Sequence, residues 1–107
     1  MSRFKLDDLA DLIKERAQTG GENSYTRKLL EKGAVHCARK MGEEAVEAII
    51  AATQKDKKQL TAESADVLYH LFVLLEASGI SLRDVEAELE RRTAMSGLEE
   101  KASRKNS

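Results

Sequence analysis

The chain has 107 residues, with 18 Lys or Arg against 19 Asp or Glu, and a formal net charge of −1. That length predicts one domain, and the balanced charge removes the electrostatic argument for nucleic acid or an anionic membrane as partner. The longest apolar stretch, Val67 to Leu75, is broken by His70 and is well short of the ~18 residues of a membrane span; one cysteine, Cys37, excludes an internal disulfide and a cysteine-rich zinc site. Asp7 and Asp8 stand where a secretory signal needs its apolar segment, so a cytoplasmic protein is expected.

Proline is absent, and the apolar spacing is helical throughout. Leu6, Leu9, Ala10, Ile13 and Ala17 form one stripe of a first helix that stops at Gly20-Gly21. Ser24 is placed to cap a short second helix carrying Leu29 and Leu30 and ending near Gly33. A third helix is expected from Ala34 to Gln54, then a polar turn over Lys55 to Gln59, then a fourth helix from Thr61 to Ala77. Ser81 with Asp84 three residues on is a capping box for a fifth helix, which runs to Thr93. The polar tail, 94–107, is expected to be flexible. These elements predict an all-α antiparallel bundle over residues 1–93. Val67 to Leu75 is apolar on every side, more than four other short helices can cover, which predicts a homodimer.

In the third helix Ala38, Met41, Ala45, Ile49 and Ala52 form an apolar face, while Lys40, Glu43, Glu44 and Glu47 cluster opposite, on a stripe that Ile50 and Ala51 extend. The fourth helix places Glu63, Asp66 and His70 on one stripe at i, i+3 and i+7. With a turn centred near Lys57, Glu47 falls level with Asp66, and Glu43 with His70. Five acids meeting there would repel one another unless some protonate or a divalent cation intervenes. Oxygen ligands favour Mg²⁺, with Mn²⁺ as the variant, over zinc. The opposing reading is a solvated charged face.

Glu43-Glu44-x-x-Glu47 followed by Glu63-x-x-Asp66 resembles the signature of the MazG-like all-α nucleotide pyrophosphohydrolases. Ser24-Tyr25-Thr26, Lys28-Leu29-Leu30, Lys40-x-Gly42-Glu43-Glu44-Ala45-x-Glu47 and Ala65-Asp66-x-Leu68-Tyr69-His70 are similar to the phosphoribosyl-ATP pyrophosphohydrolases of histidine biosynthesis, and the likeness runs over residues 6 to 93. It implies hydrolysis of the α–β phosphoanhydride of phosphoribosyl-ATP, a small-molecule nucleotide, to phosphoribosyl-AMP and pyrophosphate with Mg²⁺. Ala34 departs from the proline common in such relatives, and touches no proposed ligand.

On that resemblance Glu44, Glu47, Glu63 and Asp66 are the expected metal ligands, Glu43 and Glu47 are the candidate catalytic residues, and Glu43, beside the cluster, is the candidate to activate water. Glu43 has a plainer alternative, a salt bridge with Arg39 or Lys40. Lys40 is placed either to reach a phosphate or to pair with a glutamate. Ser24, Tyr25, Thr26 and Lys28 are candidates for the substrate phosphates, Ser24 also being an ordinary N-cap. His70 either contacts the site or is a hydrogen-bonded core histidine. Two rival functions are hydrolysis of other nucleoside triphosphates and a non-catalytic dimerising helical module.

Overall fold

The computed structural model describes residues 3–21, 24–94, 101, 102 and 104. Among the described residues five helices follow in order: α1 (Leu6–Thr19), α2 (Tyr25–Glu31), α3 (Ala34–Thr53), α4 (Lys57–Ala77) and α5 (Leu82–Thr93). No strand occurs among them, so the all-α expectation holds. The flexible-tail expectation falls mostly on residues outside those described.

Local chemistry sets most boundaries. The Asp8 carboxylate accepts the Lys5 backbone N–H at 2.8 Å and opens α1. Ser24 Oγ accepts the Arg27 N–H at 3.3 Å and opens α2. Arg27 also donates to the Gly20 carbonyl at 2.6 Å, which closes the corner between the two helices. Gly33, at φ 92 and ψ 169, takes a backbone conformation costly for any residue with a Cβ, and so turns the chain sharply into α3. Ser81 and Asp84 exchange hydrogen bonds of 3.1 and 3.0 Å, the capping box read from the sequence. That box starts α5 at 110° to α4.

The α3–α4 turn differs from expectation. Asp56 Oδ1 accepts the Gln59 N–H at 3.0 Å, so α4 begins at Lys57 instead of Thr61. Lys55, at φ 57, makes the tight left-handed step. Capping by Asp56 converts a polar segment that looked like loop into a first helical turn. The hairpin is therefore centred on Lys55, not Lys57.

The core consists of Ile13, Leu29, Cys37, Phe72 and Val73, with Leu9, Leu30 and Leu82 packed around it. α1 and α2 lie against α4, and α3 runs antiparallel to α4 over most of its length. Cys37 donates its thiol to the Leu29 carbonyl at 3.3 Å, and burial pushes its pKa up. It is a packing residue.

The apolar face of α3 is not the face it buries. Cys37 and Ala51 are buried, and Met41, Glu44 and Ala48 are half-buried, whereas Ala38, Ile49 and Ala52 face outward. Small side chains at Ala48 and Ala51 let α3 approach α4 closely, which turns the acidic side inward and leaves Val46, Ile49 and Ile50 exposed. Within α4 the apolar run is buried on one side, at His70, Phe72 and Val73, while Leu68 stays exposed. No single helix among the described residues is long and apolar enough to cross a membrane.

Candidate active site

Because the hairpin turns at Lys55, residues equally far along either arm face each other. Glu47 and Glu63 each lie eight residues from Lys55, Glu44 and Asp66 eleven, Lys40 and His70 fifteen. The register anticipated from the sequence paired Glu47 with Asp66 and Glu43 with His70. The tighter turn shifts the pairing by three residues along α4, nearly one helical turn, and this changes which carboxylates meet.

One carboxylate oxygen from each of Glu44, Glu63 and Asp66 lies within 4.8 Å of the others. Glu44 is half-buried, Glu63 buried and Asp66 exposed, so the group opens outward at its Asp66 side. Gln59 donates to Glu63 Oε1 at 2.6 Å. Glu63 Oε2 is buried with no hydrogen-bond partner among the described residues. A buried, unpaired carboxylate oxygen is costly. Burial raises the Glu63 pKa first; the neighbouring Glu47 and Asp66 carboxylates raise it further, and the Gln59 hydrogen bond partly opposes them. Both observations, the orphaned oxygen and the destabilised charge, fit a divalent cation held by oxygen ligands. Glu47, Gln54, Gln59 and Glu63 line an open cleft of about 270 Å³ at the same place.

Glu43, by contrast, points away. It is about half exposed and pairs with Lys40 at 3.6 Å, the plainer alternative held open for it. Lys40 therefore stands between the acids and the aromatic residues on α2 and α4. His70 is buried, and its Nδ1 has no partner among the described residues. Burial and the Lys40 charge hold its pKa down, against the pull of Asp66 and Glu43.

The Ser24-Tyr25-Thr26 segment divides between surface and interior. Ser24 is spent as the N-cap of α2. Tyr25 is exposed and stacks on Tyr69, with ring centroids 6.3 Å apart and planes 16° apart, and meets His70 edge-on at 6.1 Å. Thr26 is buried, and its hydroxyl shares a 2.5 Å hydrogen bond with Tyr69. Burial raises the Tyr69 pKa, with that bond opposing it. Lys28 lies on the exposed side of α2, beside Lys32, His36 and Lys40.

Gln59 was missed because it was assigned to the turn. An Asp56-x-x-Gln59 cap places it one helical turn before Glu63, where the i, i+4 pair is legible.

The family described as Phosphoribosyl-ATP pyrophosphohydrolase matches residues 6–93. Phosphoribosyl-ATP pyrophosphatase 1 of Bradyrhizobium diazoefficiens is 65% identical over 105 residues, covering 98% of this chain and 99% of that protein. Phosphoribosyl-ATP pyrophosphatase of Nitrobacter winogradskyi is 64% identical, over 97% of this chain and 90% of its own length. A third relative, from Rhodopseudomonas palustris and also named phosphoribosyl-ATP pyrophosphatase 1, is 60% identical over 98% of both chains.

Proposed function

The chain belongs to the phosphoribosyl-ATP pyrophosphohydrolase family, and from that membership we propose that it splits phosphoribosyl-ATP between its α and β phosphates, using Mg²⁺. It is an enzyme of histidine biosynthesis. The observation carrying the mechanistic reading is the convergence of Glu44, Glu63 and Asp66 around a buried, unpartnered Glu63 oxygen.

Glu44, Glu63 and Asp66 would hold the cation, with Glu47 completing the set; Mn²⁺ suits the same ligands. When bound, a divalent cation neutralises charge on the triphosphate and on the departing pyrophosphate. Gln59 fixes Glu63 Oε1 and leaves Oε2 for coordination. Glu47, level with Glu63 and lining the same cleft, is the carboxylate we assign to orient or deprotonate the attacking water. Glu43 serves that step indirectly, by fixing the Lys40 ammonium where it can meet a phosphate oxygen. Lys28 adds cationic charge beside it, and the exposed Tyr25 ring offers a face for the purine. Thr26 and His70 support the aromatic residues from beneath, and Ser24 sets the start of α2.

The exposed Val46 and Ile49 support a homodimer built on α3. A cytoplasmic location goes with a biosynthetic nucleotide hydrolase. The deciding experiment assays phosphoribosyl-ATP, ATP and dUTP side by side with Mg²⁺. Formation of phosphoribosyl-AMP and pyrophosphate from the first alone is expected, with loss of turnover in Glu47→Gln. Equal hydrolysis of all three would replace this reading with a general nucleoside triphosphate hydrolase.

A further inference from the structure

Next to the carboxylates lies a second cleft, of about 410 Å³, walled by Tyr25, Lys28, Lys32, His36 and Lys40. Lys28 and Lys32 extend from the end of α2, and His36 and Lys40 from the first turns of α3 at an i, i+4 spacing. The sharp step at Gly33 brings the two pairs around one concavity, which neither helix could form alone. Most surface lysines sit on convex faces or in ion pairs. Here Lys28, Lys32 and His36 have no side-chain hydrogen bond or ion pair among the described residues. Glu31, the one acid in the wall, is engaged by Arg27 at 3.2 Å. The result is a cationic hollow whose charge is uncompensated by the protein.

Lys40 belongs to this hollow and, through its 3.6 Å pair with Glu43, to the edge of the carboxylate site. From Glu44 back to His36 is eight residues along α3, roughly 12 Å at 1.5 Å per residue. Tyr25 lines the hollow and meets the ring of His70, which lies one turn of α4 beyond Asp66. Two anion sites of opposite construction thus flank one aromatic ring. Carboxylates with a cation suit a polyphosphate chain; bare ammonium and imidazole groups suit a terminal phosphate without a metal.

The substrate proposed above has that polarity. It carries a triphosphate on one ribose and a phosphomonoester on a second ribose, attached to the opposite side of the purine. We infer that Lys28, Lys32 and His36 form the subsite for the ribosyl 5′-phosphate, the group that sets phosphoribosyl-ATP apart from ordinary nucleoside triphosphates. This assignment rests on the function proposed above. Lys32 and His36 are then specificity-determining residues: they hold a group far from the scissile bond and contribute to binding, not to turnover.

The test compares phosphoribosyl-ATP with its analogue lacking only the ribosyl 5′-phosphate, in the intact protein and in Lys32→Gln and His36→Asn. Each variant should raise KM for phosphoribosyl-ATP about tenfold with kcat little changed, and leave KM for the analogue unaltered. The double variant should bring the two substrates to nearly equal kcat/KM, while Lys32→Arg should retain most of the wild-type preference. Unchanged KM in both variants, or equal losses on both substrates, would overturn the subsite while leaving the hydrolase reading intact. A wild-type protein that cleaves neither compound would overturn that reading, and the subsite with it.

Discussion

Glu47 and Glu63 stand level across the α3–α4 hairpin, each eight residues from Lys55, so the Glu47 carboxylate opposes ionisation of the buried Glu63. Burial first, and that neighbouring carboxylate second, hold the Glu63 pKa above the ordinary glutamate value of 4.5. Such a group contributes stability that is fully present below 4.5 and is lost as pH rises through the higher folded value, because the unfolded chain ionises first. His70 works in the opposite sense. Its pKa is held below 6.5 by burial, so its contribution is present above 6.5 and lost as pH falls through the lower folded value.

The difference between wild type and Glu63→Gln isolates the first effect. With chelator present, the stabilising effect of Glu63→Gln on the melting temperature should be larger at pH about 7.5 than at pH about 5. Saturating Mg²⁺ should reverse it, stabilising wild type and not the variant. Glu88, held at about 2 by Arg91 and Arg92, stays ionised through that range and does not interfere. A difference that is flat with pH, in thermal melts with and without Mg²⁺, would show that Glu63 keeps no extra proton.

The carboxylates should separate into two groups by their substitution kinetics. Glu44→Gln and Asp66→Asn each remove one proposed cation ligand and should cost at least as much as losing an outer-shell partner, about 10–100-fold, read as a higher half-saturating Mg²⁺ concentration. Glu43→Gln breaks only a half-exposed pair with Lys40, worth at most about 1 kcal/mol, so kcat should fall by no more than about fivefold. A loss in Glu43→Gln as deep as in Glu47→Gln would transfer water activation to Glu43.

The fold was largely legible because apolar spacing, Ser24, Gly33 and the Ser81-Asp84 box are local signals, and local signals survive folding. The register of the acids was not. It depended on whether Asp56 capped a helix or sat in a loop, and a shift of that size pairs Glu47 with Glu63 instead of Asp66. Which face of α3 is buried was not legible for a related reason. Periodicity finds the apolar stripe but not what covers it, and here the small Ala48 and Ala51 stripe packs on α4 while Ile49 faces out. The Lys32 and His36 wall escaped notice because it needs two helices and the bend at Gly33 to exist.

The Thr26–Tyr69 hydrogen bond ties α2 to α4 under the aromatic residues. Tyr69→Phe leaves the buried Thr26 hydroxyl without this partner and should destabilise by about 1–3 kcal/mol in urea unfolding. Thr26→Val removes the other partner at constant shape. The double variant should lose much less than the two single losses added together, because no unsatisfied group remains. Additive losses would mean the bond contributes nothing beyond packing.

Val35, Val46 and Ile49 fall on one stripe of α3 at helical spacing and are 78%, 54% and 62% exposed. Val46 and Ile49, one turn apart, form an apolar patch that water solvates poorly, and Val35 exposes another, three turns earlier, beyond Arg39 and Gly42. A second copy related by a two-fold axis would cover the stripe with its own equivalent, the simplest closed arrangement. Sedimentation equilibrium at micromolar concentration should therefore give twice the 11.9 kDa chain mass. Ile49→Glu places a charge at the centre of the self-facing surface, where its symmetric counterpart repels it, and should shift the mass to the monomer. Because Ile49 is exposed in the single chain, the helical circular dichroism spectrum should persist. A dimer that survives both Ile49→Glu and Val46→Glu would place the contact on another face.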